Sequence, residues 1–189
     1  LMNNLEGWGG PNSEKWYADR AALQRRILER MHELGMEPVL PGYSGMVPHD
    51  ADERLGVKVS GKGIWNGFVR PAFLATTDPM FDRIADIYYQ ELTALCGRAK
   101  YYSMDPFHEG GSLEGVDLAE CGAIITRAMK RANPESIWVI QGWNENPRAE
   151  LLAGVPRGDI VVLDLASEIK PNWGDPDSPS PYKREGGYM

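Results

Sequence analysis

Helix-period and strand-like patterns alternate four times along this chain, and that alternation restricts it to an α/β fold with parallel strands. Ser13 has the chemistry of a helix N-cap, and Trp16, Leu23, Ile27, Met31 and Leu34 recur on one helical face before Gly35, a residue type that ends helices. Residues 37–41 read as a short strand, followed by the loop Gly42-Tyr43-Ser44-Gly45 with Pro48 behind it. Residues 49–56 suit a short helix, and residues 57–77 carry no period that assigns an element. Asp78-Pro79 is a helix start, with the carboxylate as cap and Pro in the first turn. Phe81, Ile84, Tyr88, Leu92 and Leu95 supply the apolar face of that helix, and Gly97 closes it.

Residues 100–104 form the next expected strand. Asp117 with Glu120 is a relative of the capping box, opening a helix that carries Ile124, Ala128, Met129 and Ala132 as far as Asn133-Pro134. A strand over 137–141, one or two helical turns over 147–154, and the apolar strand 159–165 complete the pattern. Residues 171–181 are rich in Pro, Asp and Ser and read as a long loop, so 171–189 is expected to be a tail on the ordered part. Four helix–strand units amount to half of a (β/α)8 barrel, and a partial TIM barrel is the expected fold. A doubly wound sheet is the alternative, but it usually carries a phosphate-binding glycine turn. The chain has neither G-x-G-x-x-G nor a P-loop.

Parallel sheets of this kind place their chemistry in the loops past the carboxyl ends of the strands. Tyr43 and Ser44 follow the first expected strand, His108 and Glu109 the second, Trp143 and Asn144 the third, and residues 166–168 the fourth. The segment Tyr101-Tyr102-Ser103-Met104-Asp105-Pro106-Phe107-His108-Glu109-Gly110-Gly111 runs from a buried strand into a loop that presents a His-Glu pair. A carboxylate held there is placed for proton transfer, which makes Glu109 the first candidate for a catalytic acid/base. The same pattern also fits a loop carboxylate exposed to water. His108 reads either as a partner of Glu109 or of substrate, or as a plain loop residue. Asp105 before Pro106 reads as a turn stabiliser. Trp143 reads as a sugar platform or as a packing residue at the barrel rim, and Trp8 lies in a loop, Gly7-Trp8-Gly9-Gly10, too rich in glycine for ordinary core packing. Hydrolysis of a glycosidic bond needs two carboxylates. Glu145, Asp164 and Glu168 are the in-chain candidates for the second, and none has a context as distinctive as that of Glu109.

Other classes fit less well. The net charge of −7 does not suit a nucleic-acid or anionic-membrane surface. No apolar run approaches the roughly 20 residues that a membrane helix needs. Cys96 and Cys121 lack metal-ligand spacing and read as buried thiols, and His32 and His49 have no ligand partners nearby, so no metal and no cofactor is expected. Ser44 lacks the G-x-S-x-G context of a serine hydrolase.

Several blocks carry a resemblance: Asn4-Leu5-Glu6-Gly7-Trp8-Gly9-Gly10-Pro11; Gly35-Met36-Glu37-Pro38-Val39-Leu40-Pro41-Gly42; Gln141-Gly142-Trp143; and Val155-Pro156-Arg157-Gly158 with Leu163-Asp164-Leu165. In this order they resemble the α-N-acetylglucosaminidases of glycoside hydrolase family 89. The resemblance implies a retaining exo-hydrolase with a (β/α)8 catalytic barrel, acting on glycans that end in α-linked N-acetylglucosamine. It implies Glu109 as acid/base and Trp8, His108, Trp143 and Leu165 as sugar-binding residues. Family members commonly carry Asn where this chain has His108, which leaves the hydrogen bond at that position open. The family's nucleophile is a glutamate farther downstream than Met189. By this likeness residues 1–189 are an incomplete catalytic barrel, inactive alone, whose partners include the missing N- and C-terminal parts of a longer enzyme. Half a barrel exposes two sheet edges, so the isolated chain is expected to be poorly stable or to self-associate. Family habit implies a secreted, periplasmic or lysosomal setting. The competing readings are a non-catalytic carbohydrate-binding α/β module and a complete small hydrolase that uses Glu168 as nucleophile.

Overall fold

The computed structural model describes residues 12–60, 64–65, 67–107, 113, 115–143, 145–165, 167–169 and 171. Its elements run α1 (Glu14–Glu33), β1 (Val39–Pro41), β2 (Met46–Val47), α2 (Ala51–Leu55), β3 (Val59–Ser60), β4 (Ile64–Trp65), β5 (Phe68–Val69), β6 (Ala72–Leu74), α3 (Met80–Cys96), β7 (Tyr101–Ser103), α4 (Leu118–Ala132), β8 (Ile137–Gly142), α5 (Ala149–Ala153) and β9 (Ile160–Asp164). They fall into two compact units.

The first unit holds α1 and residues 43–98. The Ser13 hydroxyl accepts the Trp16 backbone N–H at 3.2 Å and starts α1, and Gly35 ends it with φ +71°. The Asp78 carboxylate accepts the Met80 N–H at 2.8 Å, with Pro79 already helical, so α3 starts on the Asp-Pro signal. α1 packs on α3. Of α1, only Leu28 is buried, whereas Leu23, Ile27 and Leu34 of the expected apolar face are exposed. The 3.6-residue period dictates the helix, but the neighbours of a face decide whether it is covered. The stretch that carried no period contains four short strands. β2, β6 and β3 form an antiparallel sheet in that order, and β4 pairs with β5. Gly45 has φ +110°, and a Cβ there would lie 2.8 Å from the Leu74 carbonyl oxygen, so this turn against β6 requires glycine.

The second unit carries the parallel sheet, ordered β1-β7-β8-β9. Each strand joins the sheet beside its predecessor and on the same side, so the order never reverses. A doubly wound sheet would show a switch point; a barrel does not. Crossovers through α4 and α5 connect β7 to β8 and β8 to β9. Asp117 caps α4 by accepting the Glu120 N–H at 3.0 Å. Trp138, Ile140, Ile160 and Val162 of the sheet and Cys121, Ile125, Ala128 and Met129 of α4 are almost wholly buried. α4 also packs on α5, and the approach is close enough that a Cβ on Gly154 would lie 1.8 Å from the Ala119 carbonyl oxygen. Among the described residues β1 and β9 each pair on one side only, and Val39 and Leu163 on these strands are half exposed.

Candidate functional site

Chemistry at this sheet depends on how firmly the strands hold the residues just past their carboxyl ends. The end of β7 is held on both sides. Beyond its last residue, the Met104 N–H donates to the Val139 carbonyl at 3.2 Å, and the Met104 carbonyl accepts the Trp138 indole N–H at 2.9 Å. Trp138 is fully buried, so this bond also satisfies the one polar atom of a large core side chain. On the other side the Gly42 N–H donates to the Ser103 carbonyl at 2.9 Å, and any Cβ on Gly42 would lie 2.7 Å from Met104 Sδ. Met104 is thus fixed from both flanks. Asp105 follows it, and Pro106 restricts Asp105 to extended backbone.

From β8 the chain passes through buried Gly142 to Trp143. Trp143 and Asn146 exchange backbone hydrogen bonds of 2.9 and 2.8 Å in a tight antiparallel bridge, and the Asn146–Pro147 peptide is cis. The Trp143 indole N–H donates to Asp105 Oδ2 at 3.3 Å, and the ring remains half-buried. At the end of β9, Asp164 is half-buried, and the Leu165 N–H continues the ladder to the Gly142 carbonyl at 2.9 Å. Leu165 itself is half exposed. One edge of the sheet therefore presents Asp105, Trp143, Asp164 and Leu165 from three adjacent strands.

Of the residues singled out by sequence, Trp143 and Leu165 stand at this edge. Trp8, His108 and Glu109 lie outside the described residues, as does Asn144. Glu145 forms an ion pair with Arg148, and Glu168 is exposed. Tyr43 belongs to the first unit and is a core residue there. Its ring packs 5.2 Å from Phe81 and 5.5 Å from Tyr88, and its backbone N–H donates to the Tyr89 hydroxyl at 3.1 Å. Burial, with a smaller contribution from the Asp78 carboxylate, pushes the Tyr43 phenol far above its ordinary range, so it stays neutral. Asp105 reads from sequence as a turn stabiliser, yet it also accepts from Trp143; an Asp-Pro step at a strand end gives no hint of a partner one strand away. Among the described residues no group of His, Cys, Asp and Glu could hold a metal ion, and no helix is long and apolar enough to cross a membrane.

Residues 1–180 match the model of the alpha-N-acetylglucosaminidase (NAGLU) tim-barrel domain. The chain belongs to that family. It is 34% identical over 187 residues to human alpha-N-acetylglucosaminidase, an alignment that spans 90% of this chain and 25% of the human protein. A family 89 glycoside hydrolase from Clostridium perfringens, in complex with 2-acetamido-1,2-dideoxynojirmycin, superimposes with a TM-score of 0.85 at 38% identity, over 91% of this chain and 20% of that one. A form of the Clostridium perfringens protein with two Glu-to-Gln substitutions, bound to its substrate GlcNAc-alpha-1,4-galactose, gives a TM-score of 0.85 at 37% identity, over 92% of this chain and 20% of that one. The four parallel strands with their alternating helices are therefore part of an alpha-N-acetylglucosaminidase-type barrel, and its relatives are glycoside hydrolases. This chain spans about a quarter of the human relative and a fifth of the bacterial one.

Proposed function

We propose that this chain is the acid/base-bearing part of the catalytic barrel of a retaining exo-glycosidase. The enzyme removes terminal α-linked N-acetylglucosamine from glycans. Membership of residues 1–180 in the alpha-N-acetylglucosaminidase barrel family carries the reading. The sheet supports it physically, because residues of the expected sugar site, Trp143 and Leu165, stand together at the carboxyl edge where barrels do their chemistry.

In this reading Glu109, in the loop after β7, protonates the departing glycosidic oxygen and then takes a proton from the water that releases the sugar. A second carboxylate about 5 Å away attacks the anomeric carbon. Glu109 is in this chain, and the nucleophile is supplied from outside these 189 residues. Trp8, His108, Trp143 and Leu165 contact the N-acetylglucosamine. The open sides of β1 and β9 are where further barrel strands pair.

The test is hydrolysis of an aryl α-N-acetylglucosaminide, with the first-formed anomer followed by NMR, by a full-length protein that carries this chain and by the 189-residue chain alone. The full-length protein is expected to release the α-anomer first, and the chain alone is expected to be silent. Binding of the sugar without any hydrolysis by the full-length protein would make this a carbohydrate-binding module. Turnover by the chain alone would place a second carboxylate within it, and Glu168 and Asp164 would be the first to substitute.

A further inference from the structure

Trp143 is joined to the neighbouring strand end by one side-chain hydrogen bond, and the two ends of that bond differ in how firmly they are held. Asp105 follows Met104, whose N–H and C=O are both tied to β8. Trp143 has its backbone fixed by the bridge to Asn146, but a bridge of main-chain atoms leaves the side-chain torsions free. The indole is half-buried, so packing covers only part of it. The Asp105 carboxylate, accepting the indole N–H at 3.3 Å, supplies a polar constraint on the direction of the ring.

We infer that Asp105 is a positioning residue, which through its carboxylate orients the Trp143 indole as a platform for the apolar face of an N-acetylglucosamine ring. This rests on the sugar-site reading of Trp143 given above. A stacking platform works only at one tilt and height, and an indole free to swing loses ordering entropy on each binding event. Asp105 needs no contact with the sugar to exert this effect. The side chain must be an acceptor at this position, because an indole has only a donor to offer. Asn can fill the role through its amide oxygen, whereas Ala and Leu cannot.

The experiment is a double-substitution cycle in the full-length protein, read by the dissociation constant of 2-acetamido-1,2-dideoxynojirmycin. Trp143→Phe keeps an aromatic face and removes the N–H. Asp105→Ala is expected to weaken binding about tenfold in the wild-type background, the size of one ordinary hydrogen bond. In the Trp143→Phe background the same change is expected to have an effect of less than about twofold. Asp105→Asn should restore binding to within about threefold of wild type. A second readout is the Trp143 indole proton in NMR, assigned by its absence in Trp143→Phe. It should shift in Asp105→Ala and stay near its wild-type position in Asp105→Asn. Equal loss on Asp105→Ala in both backgrounds would overturn the inference, as would an unmoved indole proton. If Asp105→Ala does not fold, the Asn variant decides: unchanged folding with a tenfold loss of binding would likewise contradict it. Failure of the wild-type protein to bind the iminosugar at all would instead defeat the sugar-site reading.

Discussion

Asp105 and Trp143 lie 38 positions apart in the chain, yet the carboxylate of one accepts the indole N–H of the other at 3.3 Å. Parallel pairing makes this meeting possible. β7 and β8 are in register from Tyr101 opposite Ile137 to Ser103 opposite Val139, and each strand then releases its chain at the same edge of the sheet. Two loops remote in sequence are thereby delivered side by side, which is how a barrel assembles a site from separate connections.

Under the proposed sugar-site reading, removing the Trp143 ring should cost binding and leave the fold. Trp143→Ala is expected to weaken an N-acetylglucosamine-type ligand by about tenfold or more, since both the aromatic face and its burial of the sugar are lost. Trp143→Phe should lose less. Calorimetric titration measures both, and circular dichroism checks that the half-buried position leaves the structure intact.

The anchor under the site is a stability element. Trp138 is fully buried and donates to the Met104 carbonyl at 2.9 Å. Trp138→Phe keeps most of the volume and removes that hydrogen bond, at a cost of about 0.5–1.5 kcal/mol. Trp138→Ala adds a cavity and should cost about 3–5 kcal/mol. Denaturant unfolding of the full-length protein gives both values, and the order Ala worse than Phe is the discriminating result.

The seam between α4 and α5 should be intolerant of a single methyl group. A Cβ on Gly154 would lie 1.8 Å from the backbone oxygen of Ala119, which cannot swing away as a side chain can. Gly154→Ala is expected to cost about 1–3 kcal/mol through forced separation of the helices. Gly35→Ala provides the contrast: a Cβ there meets nothing within 4 Å, so only the positive φ of +71° is penalised, at about 1 kcal/mol. Thermal unfolding of the two variants separates crowding from backbone strain.

The parts of this fold that sequence made legible are those with a physical period or a cap. Ser13, Asp78 and Asp117 each accept a hydrogen bond from a backbone N–H at a helix start, and all three are apparent from residue type and spacing alone. The strand at 159–165 is visible because a run of Ile, Val and Leu admits few other readings. β2 to β6 are not visible: like β1 and β7 they are only two or three residues long, but no helix-strand alternation flags them. The exposure of α1 is not visible either: Leu23 and Ile27 repeat at helical spacing, but repetition does not say what packs against them. Trp143 and Leu165 are nominated as sugar-binding residues by resemblance and by their place after strands, and the sheet brings both to one edge. Tyr43 shares that placement and is nonetheless a core residue, packed among Phe81, Tyr88 and Tyr89. Position after a strand nominates a residue; only the packing around it shows whether it faces a ligand. The partnership of Asp105 with Trp143 depends on strand neighbourhood, which no local pattern records.

The most direct test of the account is the leaving-group dependence of a Glu109→Gln variant in the full-length protein. A general acid matters most when the departing oxygen needs a proton, so turnover of a disaccharide whose terminal α-linked N-acetylglucosamine departs from a sugar hydroxyl should fall by about 100-fold or more. Formation of the glycosyl-enzyme from an aryl α-N-acetylglucosaminide with an acidic phenol should fall far less. That split is the expected result. Near wild-type turnover of the disaccharide by Glu109→Gln would contradict it, and so would a loss of equal size in glycosylation by both substrates.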